Sequence, residues 1–217
     1  GAMRPEAPEP LLYHAWMQRL KQRIFEDDVG PLAPELVEPA ALTGAMLGVL
    51  SGRARARDWC DDSRTAERHE TCAMLAAEAL DEAAADATRD AHGLARLRWG
   101  TAHAGVFEHR PFSGVRLLRG WFELRAAQGG DSDTVNAGTL RLRGERPFEA
   151  RAGAGLRMIY DLSSGSGGVW MSGPGQSGNP FSAQYGDLLG SWSQVRYRPI
   201  GSSPARGLAL ILKPTRP

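Results

Sequence analysis

Apolar residues recur at every fourth position near the start of the chain. Leu12, Trp16, Leu20 and Ile24 mark one face of a helix over 11–25. Asp27, Asp28, Gly30 and Pro31 supply the stop signals that follow it. A second helix is predicted from about Glu38 to Leu50, with Gly52 after its end. The third is an Ala-, Leu- and Glu-rich stretch from Ser63 or Thr65 to about Asp90, opened by a capping hydroxyl and closed by Gly93. After residue 95 the pattern changes. Short apolar runs at 115–118, 121–124, 139–142, 156–162 and 169–172 are separated by Gly, Ser, Pro and Asp clusters, and they predict strands. The run 163–168 is Ser- and Gly-rich and predicts a hairpin loop between the last two. Asp187, Leu188, Leu189 and Trp192 form a last helical or irregular segment, and 208–212 a closing short strand. Helices first and strands later indicate an α+β layout, with a helical segment over 11–95 and a β-rich one over 96–217. Several of the strands lack a period of two, as strands do when both faces are covered.

Composition narrows the class. The chain has 217 residues, 42% of them hydrophobic and 24% charged, which suits a packed soluble domain. No run of about 18 apolar residues is present, so no membrane span is expected. The formal charge is +1, and the basic run Arg53, Arg55, Arg57 is followed at once by Asp58, Asp61 and Asp62, which argues against nucleic acid. Gly1-Ala2-Met3 reads as a protease-cleavage scar and 4–10 (RPEAPEP) as a Pro-rich linker. Two readings of Cys60 and Cys72 compete. They are reduced thiols with one buried under a helix, or a single disulfide in an oxidising compartment. The polar segment between them needs tethering, which favours the disulfide.

Generic catalytic patterns fail one by one. In Gly175-Gln176-Ser177-Gly178 the second glycine comes one place early for a nucleophile elbow. Asp131-Ser132-Asp133 lacks the glycine and closing Glu of a calcium loop. Gly153-Ala154-Gly155 lacks the third glycine of a dinucleotide fingerprint. His103 and His109 are six apart on what reads as loop, and His69 is the only histidine near the cysteines, so no metal site and no cofactor is expected.

A combined pattern remains. It comprises Trp99-Gly100-x-x-His103, His109-x-Pro111-Phe112, Gly129-Gly130-Asp131-x-x-Thr134-Val135-Asn136 and Arg157-x-x-x-Asp161. Gly173-x-Gly175-Gln176-Ser177-Gly178-x-Pro180 and Tyr185-x-Asp187 with Trp192 complete it. In this order and spacing the set resembles the last section of the penicillin acylase (penicillin amidase) family of N-terminal-nucleophile (Ntn) hydrolases. The likeness is strong over 95–200 and general in character over 11–92. It implies the C-terminal part of a β chain and a share of an αββα sandwich. It also implies hydrolysis of an N-acyl amide, on a β-lactam, an acyl-homoserine lactone or a similar amine. The family nucleophile is an N-terminal Ser whose own α-amine acts as base, with an oxyanion hole that includes an Asn side chain.

The chain departs from that pattern where the chemistry resides. No Ser precedes an Asn, and the only asparagines, Asn136 and Asn179, belong to the C-terminal motifs. No catalytic residue is therefore assigned. The resemblance implies a missing α chain and N-terminal part of the β chain as partners, with the amide substrate bound only by the complete enzyme. It also implies a periplasmic or secreted location. His103, Asn136, Gln176 and Ser177 are the candidates for pocket-lining or structural roles, and Trp99, Trp170 and Trp192 could line an acyl pocket or pack beneath it. Arg157 and Asp161 are candidates for a buried ion pair. Uncovered apolar surface would favour self-association. A non-catalytic binding or assembly module derived from the same fold is the alternative, and a hydrolase using Ser177 as its own nucleophile is a third.

Overall fold

A computed structural model describes residues 3–37, 42–54, 56–89, 98–142, 146–163 and 167–200. The helical half consists of α1 (Glu9–Val29), a 3-10 segment (Gly30–Val37), α2 (Thr43–Leu50) and α3 (Cys72–Arg89). Pro10 sits in the first turn of α1, where a missing N–H costs no helical bond. The inward stripe of α1 closes on α2 and α3 around Leu20, Ile24, Phe25, Met46, Leu75 and Ala79. Trp16 donates its indole N–H to the Ala76 carbonyl (2.8 Å). On the outer side Arg23 pairs with Glu78 (2.9 Å), and Arg19 pairs with Asp86.

Several boundaries differ from the sequence expectation. Asp27 and Asp28 do not break α1, because each carboxylate has a tertiary partner. Asp27 accepts from the Ser63 N–H and hydroxyl (2.9 Å each), and Asp28 pairs with Arg57. Of the expected stop signals it is Gly30 (φ 50°) that ends the helix. Helix α3 starts at Cys72, not at Ser63 or Thr65. The preceding segment folds on itself: the Glu70 N–H donates to Asp61 (3.2 Å), and the Asp62 N–H donates to Glu70 (3.2 Å). The capping hydroxyl is that of Thr71, which accepts the Met74 N–H (3.3 Å). Cys60 and Cys72 are joined by a disulfide that closes this loop onto the start of α3.

The second half is organised by two sheets. One has the order β2-β1-β4-β3, from β1 (Ala104–Phe107), β2 (Leu124–Ala127), β3 (Gly138–Leu140) and β4 (Ala150–Gly153). Strands β1 and β2 are antiparallel, β1 and β4 parallel, and β3 and β4 antiparallel with a bulge at Thr139/Leu140. The other has the order β5-β6-β7, antiparallel throughout, from β5 (Leu156–Tyr160), β6 (Gly168–Ser172) and β7 (Arg198–Pro199). Among the described residues this half also holds three short α-helices, α4 (Trp99–Ala102), α5 (Arg116–Phe122) and α6 (Leu189–Ser193), and a 3-10 turn (Phe112–Gly114). The architecture is α+β.

Where strands are expected over 115–118 and 121–124 the chain forms one helix, α5, and only Leu124 is in a strand, as the first residue of β2. Leu117 and Trp121 stand four apart, a helical spacing, and both are exposed (87% and 84%). Residues 4–10 are no free linker. Glu9 already belongs to α1, and the carbonyls of Pro5 and Ala7 accept the N–H groups of Gly100 (2.7 Å) and Trp99 (2.9 Å). Met3, grouped above with the leading scar, likewise accepts the Gly130 N–H (2.8 Å). The expected strand over 208–212, the 38–41 portion of the second helix, the Gly93 stop and 164–166 of the hairpin loop lie outside the described residues.

The sheets meet across Trp192 of α6, which is 3% exposed. A Cβ at Gly105 would lie 2.6 Å from its ring and one at Gly173 2.7 Å, so the indole occupies the space that two glycines leave. Its N–H donates to the Ala154 carbonyl (3.0 Å).

Replacing Cys60 and Cys72 together by Ser should lower unfolding stability by about 3 kcal/mol, the chain-entropy value for a loop of this length. Urea titration of the double variant against the parent, with and without reductant, checks this. An unchanged midpoint would show that the loop is held by its carboxylates alone.

Candidate functional site

The motif residues fall into two groups. The first surrounds Trp99, which is fully buried. Its indole stacks with His14 of α1 (5.0 Å, 15°) and with His103 (4.6 Å, 14°), and its N–H donates to the Gly130 carbonyl (2.7 Å). His103 occupies the turn between α4 and β1, and His109 lies in the loop after β1, as expected for both. Its Nδ1 faces the Phe148 carbonyl at 2.8 Å, so Nδ1 carries the proton and Nε2 keeps its lone pair. Burial holds His103 below its ordinary pKa, and neighbouring His14 pushes the same way. His14 is also lowered by burial, against the opposing pull of Asp131, whose carboxylate lies 3.4 Å from His14 Nε2.

The Gly129–Asn136 loop turns back under this stack. The Asp131 N–H donates to the Thr134 hydroxyl (2.9 Å), the Gly138 N–H to the Asp131 carbonyl (3.0 Å), and Asn136 Nδ2 to the Gly129 carbonyl (2.8 Å). Gly130 has φ +80°, and a Cβ there would come within 2.4 Å of the Asn136 carbonyl oxygen. Only glycine fits this turn. His103 and Asn136 thus lie in one assembly around Trp99; Asn136 bonds the loop to itself, while His103 bonds the Phe148 carbonyl.

The second group forms around His109, whose ring stacks on Phe112 (5.0 Å, 8°) and lies beside Phe122 and Tyr185. Tyr185 donates its hydroxyl to the Phe122 carbonyl, and burial raises its pKa, so it stays protonated at neutral pH. The N–H groups of Gln176 and Ser177 both donate to the Gln184 carbonyl (3.0 and 3.1 Å). Ser177 Oγ accepts the Asn179 N–H (3.1 Å), and among the described residues no histidine hydrogen-bonds to it. Gln176 is exposed.

The Arg157–Asp161 ion pair does not form. Arg157 turns inward, 9% exposed, over the Trp192 ring (4.8 Å), and Nη1 donates to the Trp192 carbonyl (3.3 Å). Asp161 accepts from the Ser163 N–H and hydroxyl (2.9 and 2.6 Å). Four residues of strand separate the two α-carbons too widely for the pair.

Sequence reasoning missed His14, whose place one turn from neither Leu12 nor Trp16 gave no signal, and the carbonyls of Met3, Pro5 and Ala7, which no pattern reports. It also missed a cleft of about 600 Å³ between the strand ends and the 174–185 segment, lined by Phe107, His109, Arg110, Arg141, Arg151 and Tyr185 among others. Beside it the buried Glu149 carboxylate bonds to Arg125 and Arg151. Burial alone would raise its pKa, but the arginines around it outweigh burial and hold it below the ordinary value.

These features define an α+β segment whose polar motif residues are spent on holding loops, with no nucleophile–base pair among the described residues. The family model for penicillin amidase matches residues 1–207, so the chain belongs to the penicillin amidase family. Curated relatives are the acyl-homoserine lactone acylases QuiP of Pseudomonas species. That of Pseudomonas fluorescens Pf-5 is 27% identical over 94% of this chain and 25% of its own length. That of Pseudomonas syringae pv. tomato DC3000 is 28% identical over 92% and 25%. The P. aeruginosa PAO1 protein is 25% identical over 91% and 25%. The chain spans about a quarter of the length of the curated relatives it matches. Among the described residues no helix is long and apolar enough to cross a membrane.

The stacked histidines make stability depend on pH. Both have folded-state values below the ordinary 6.5, so on acidification the unfolded chain takes up protons first. Stability is full above about pH 6.5 and falls below it, by up to about 1.4 kcal/mol per pH unit for each histidine. Thermal melts from pH 8 to 5.5 should show this decline, and His103→Asn should flatten it. Gly130→Ala should destabilise at every pH, by about 2 kcal/mol or more from the strained turn and the close carbonyl contact.

Proposed function

We propose that this chain is the C-terminal portion of the β chain of a penicillin-amidase-type Ntn hydrolase and contributes structure, not catalytic groups, to it. The complete enzyme hydrolyses an N-acyl amide, of a β-lactam, an acyl-homoserine lactone or a related amine. The observation that carries the reading is the family match over 1–207 in a chain that spans a quarter of its relatives. In this reading the nucleophile is an N-terminal Ser of the missing part, activated by its own amine. The attacked carbonyl passes through an oxyanion held by donors that are likewise outside this chain. Hydrolysis then releases a carboxylate and an amine.

The surface supports a role inside a larger domain. On β5, Leu156, Met158 and Tyr160 point to one side and Ile159 to the other, and all four are more than half exposed. A strand apolar on both faces belongs in a sheet covered on both sides. We assign as partners the α chain and the N-terminal part of the β chain, forming an αββα sandwich with this segment. The family likeness and the disulfide favour an oxidising location, periplasmic or secreted. In this reading His103 and Asn136 brace the motif loops from below, and Gln176 and Ser177 shape the loop above the cleft.

Hydrolysis of a chromogenic acyl anilide should be absent with this chain alone. It should appear when the chain is mixed with the separately prepared remainder of the enzyme, and Ser177→Ala should leave the recovered rate unchanged. Turnover by the chain alone that Ser177→Ala abolishes would replace this reading with a self-sufficient hydrolase. Tight binding of the remainder without turnover would favour the assembly-module alternative.

A further inference from the structure

The cleft beside His109 is assembled from four separate parts of the chain. Phe107 ends β1, Arg110 follows it, Arg141 follows β3, Arg151 lies on β4, and Pro174, Gly178 and Tyr185 come from the segment that carries the glycine-rich motif. Three arginines therefore line a cleft of about 600 Å³, a volume suited to a small molecule. Arg151 is already engaged, with Nη1 donating to Glu108 (2.7 Å) and Nη2 to Glu149 (3.1 Å). Arg110 and Arg141 have no ion pair or side-chain hydrogen bond among the described residues. Among the described residues Glu108 is the only acidic side chain in the lining, against three arginines, so these residues give the cleft an excess of positive charge.

Like charges drawn to one concavity repel, and a cleft lined by one sign concentrates ligands of the other. The geometry points to a carboxylate. A guanidinium offers paired parallel N–H donors that match its two oxygens. The walls from Val106, Phe107 and Pro174 are apolar and suit an organic body attached to the acid. We propose that Arg110 and Arg141 hold the carboxylate of a small organic acid in this cleft. The proposal rests on the amidase reading only for the source of the ligand, since amide hydrolysis releases such an acid.

The test uses the 217-residue chain and isothermal titration with hexanoate, against hexanamide as the uncharged isostere and inorganic phosphate as a bare anion. Hexanoate should bind, hexanamide should not, and phosphate should bind more weakly. Arg110→Gln or Arg141→Gln should each weaken hexanoate at least about tenfold, the loss expected for one charge-assisted pair. Arg53→Gln, on the helical half, should change nothing. Circular dichroism of each variant shows whether it folds, and both target side chains are exposed, so folding should persist. No binding of hexanoate, or equal binding by the Arg110→Gln/Arg141→Gln double variant, would overturn the proposal. Phosphate binding as tight as hexanoate would overturn the carboxylate assignment. Hexanoate binding by a chain that never restores amidase activity would sink the amidase reading and leave the cleft standing. Restored activity without hexanoate binding would do the reverse.

Discussion

The structure depends on the placement of one indole. Trp99 has no exposed surface, and it stacks with imidazoles from different halves of the chain. His14 arrives on the long first helix and His103 on the lead-in to β1. The indole N–H is bonded to Gly130, and the backbone N–H to Ala7. A buried Trp contributes a large apolar area and needs one partner for its N–H, and both requirements are met here. The consequence reaches past packing. Imidazoles pressed against an indole lose their water, which favours their neutral form. The Phe148 carbonyl faces His103 Nδ1, and the Asp131 carboxylate lies beside His14.

Trp192 has the matching role between the sheets. Gly105 and Gly173 leave room for its ring on two sides, while Arg157 covers it from β5 and Phe107 meets it edge-on. Two sheets separated by a single rigid side chain cannot slide without displacing it, because interiors are packed too densely to absorb the gap. The carboxyl end of β1 is thereby fixed relative to the 174–185 segment. The cleft between them is a product of this spacing, and so is the approach of Arg110 and Arg141 to it.

The sequence was most legible where periodicity and partner coincided. The first helix, the hairpin of β5 and β6 and the short helix near Trp192 follow from local pattern. It was least legible where distant groups decided the outcome. Asp27 and Asp28 look like stop signals until Ser63 and Arg57 occupy them. Ser63 and Thr65 look like caps until Asp61 and Glu70 bond across the loop and leave the capping to Thr71. The strands β1, β2 and β4 are built largely of Ala, Gly and Arg, residues with little strand preference of their own, and they form because their neighbours supply the pairing. The motifs behaved similarly. Their order along the chain was visible, and it marked the family. That His103 and Asn136 form one assembly while Gln176 and Ser177 belong to another required the fold.

The missing alternation in β5 carries a further meaning. A strand with one wet face hides its large residues on the other, yet here Leu156, Met158 and Tyr160 are as exposed as Ile159 on the opposite side. The strand is also an edge, with β6 on one side and no described strand on the other. An exposed, apolar edge invites pairing with another chain unless it is covered, and natural sequences usually protect such edges with charge or proline. Residues 156–160 include one charged side chain, Arg157, and it is turned inward over Trp192. The edge lacks the usual protection, so its sequence suits a strand that is paired and covered in the whole protein. The same physical feature that blurred the strand pattern in the sequence thus supports placing this chain within a larger protein.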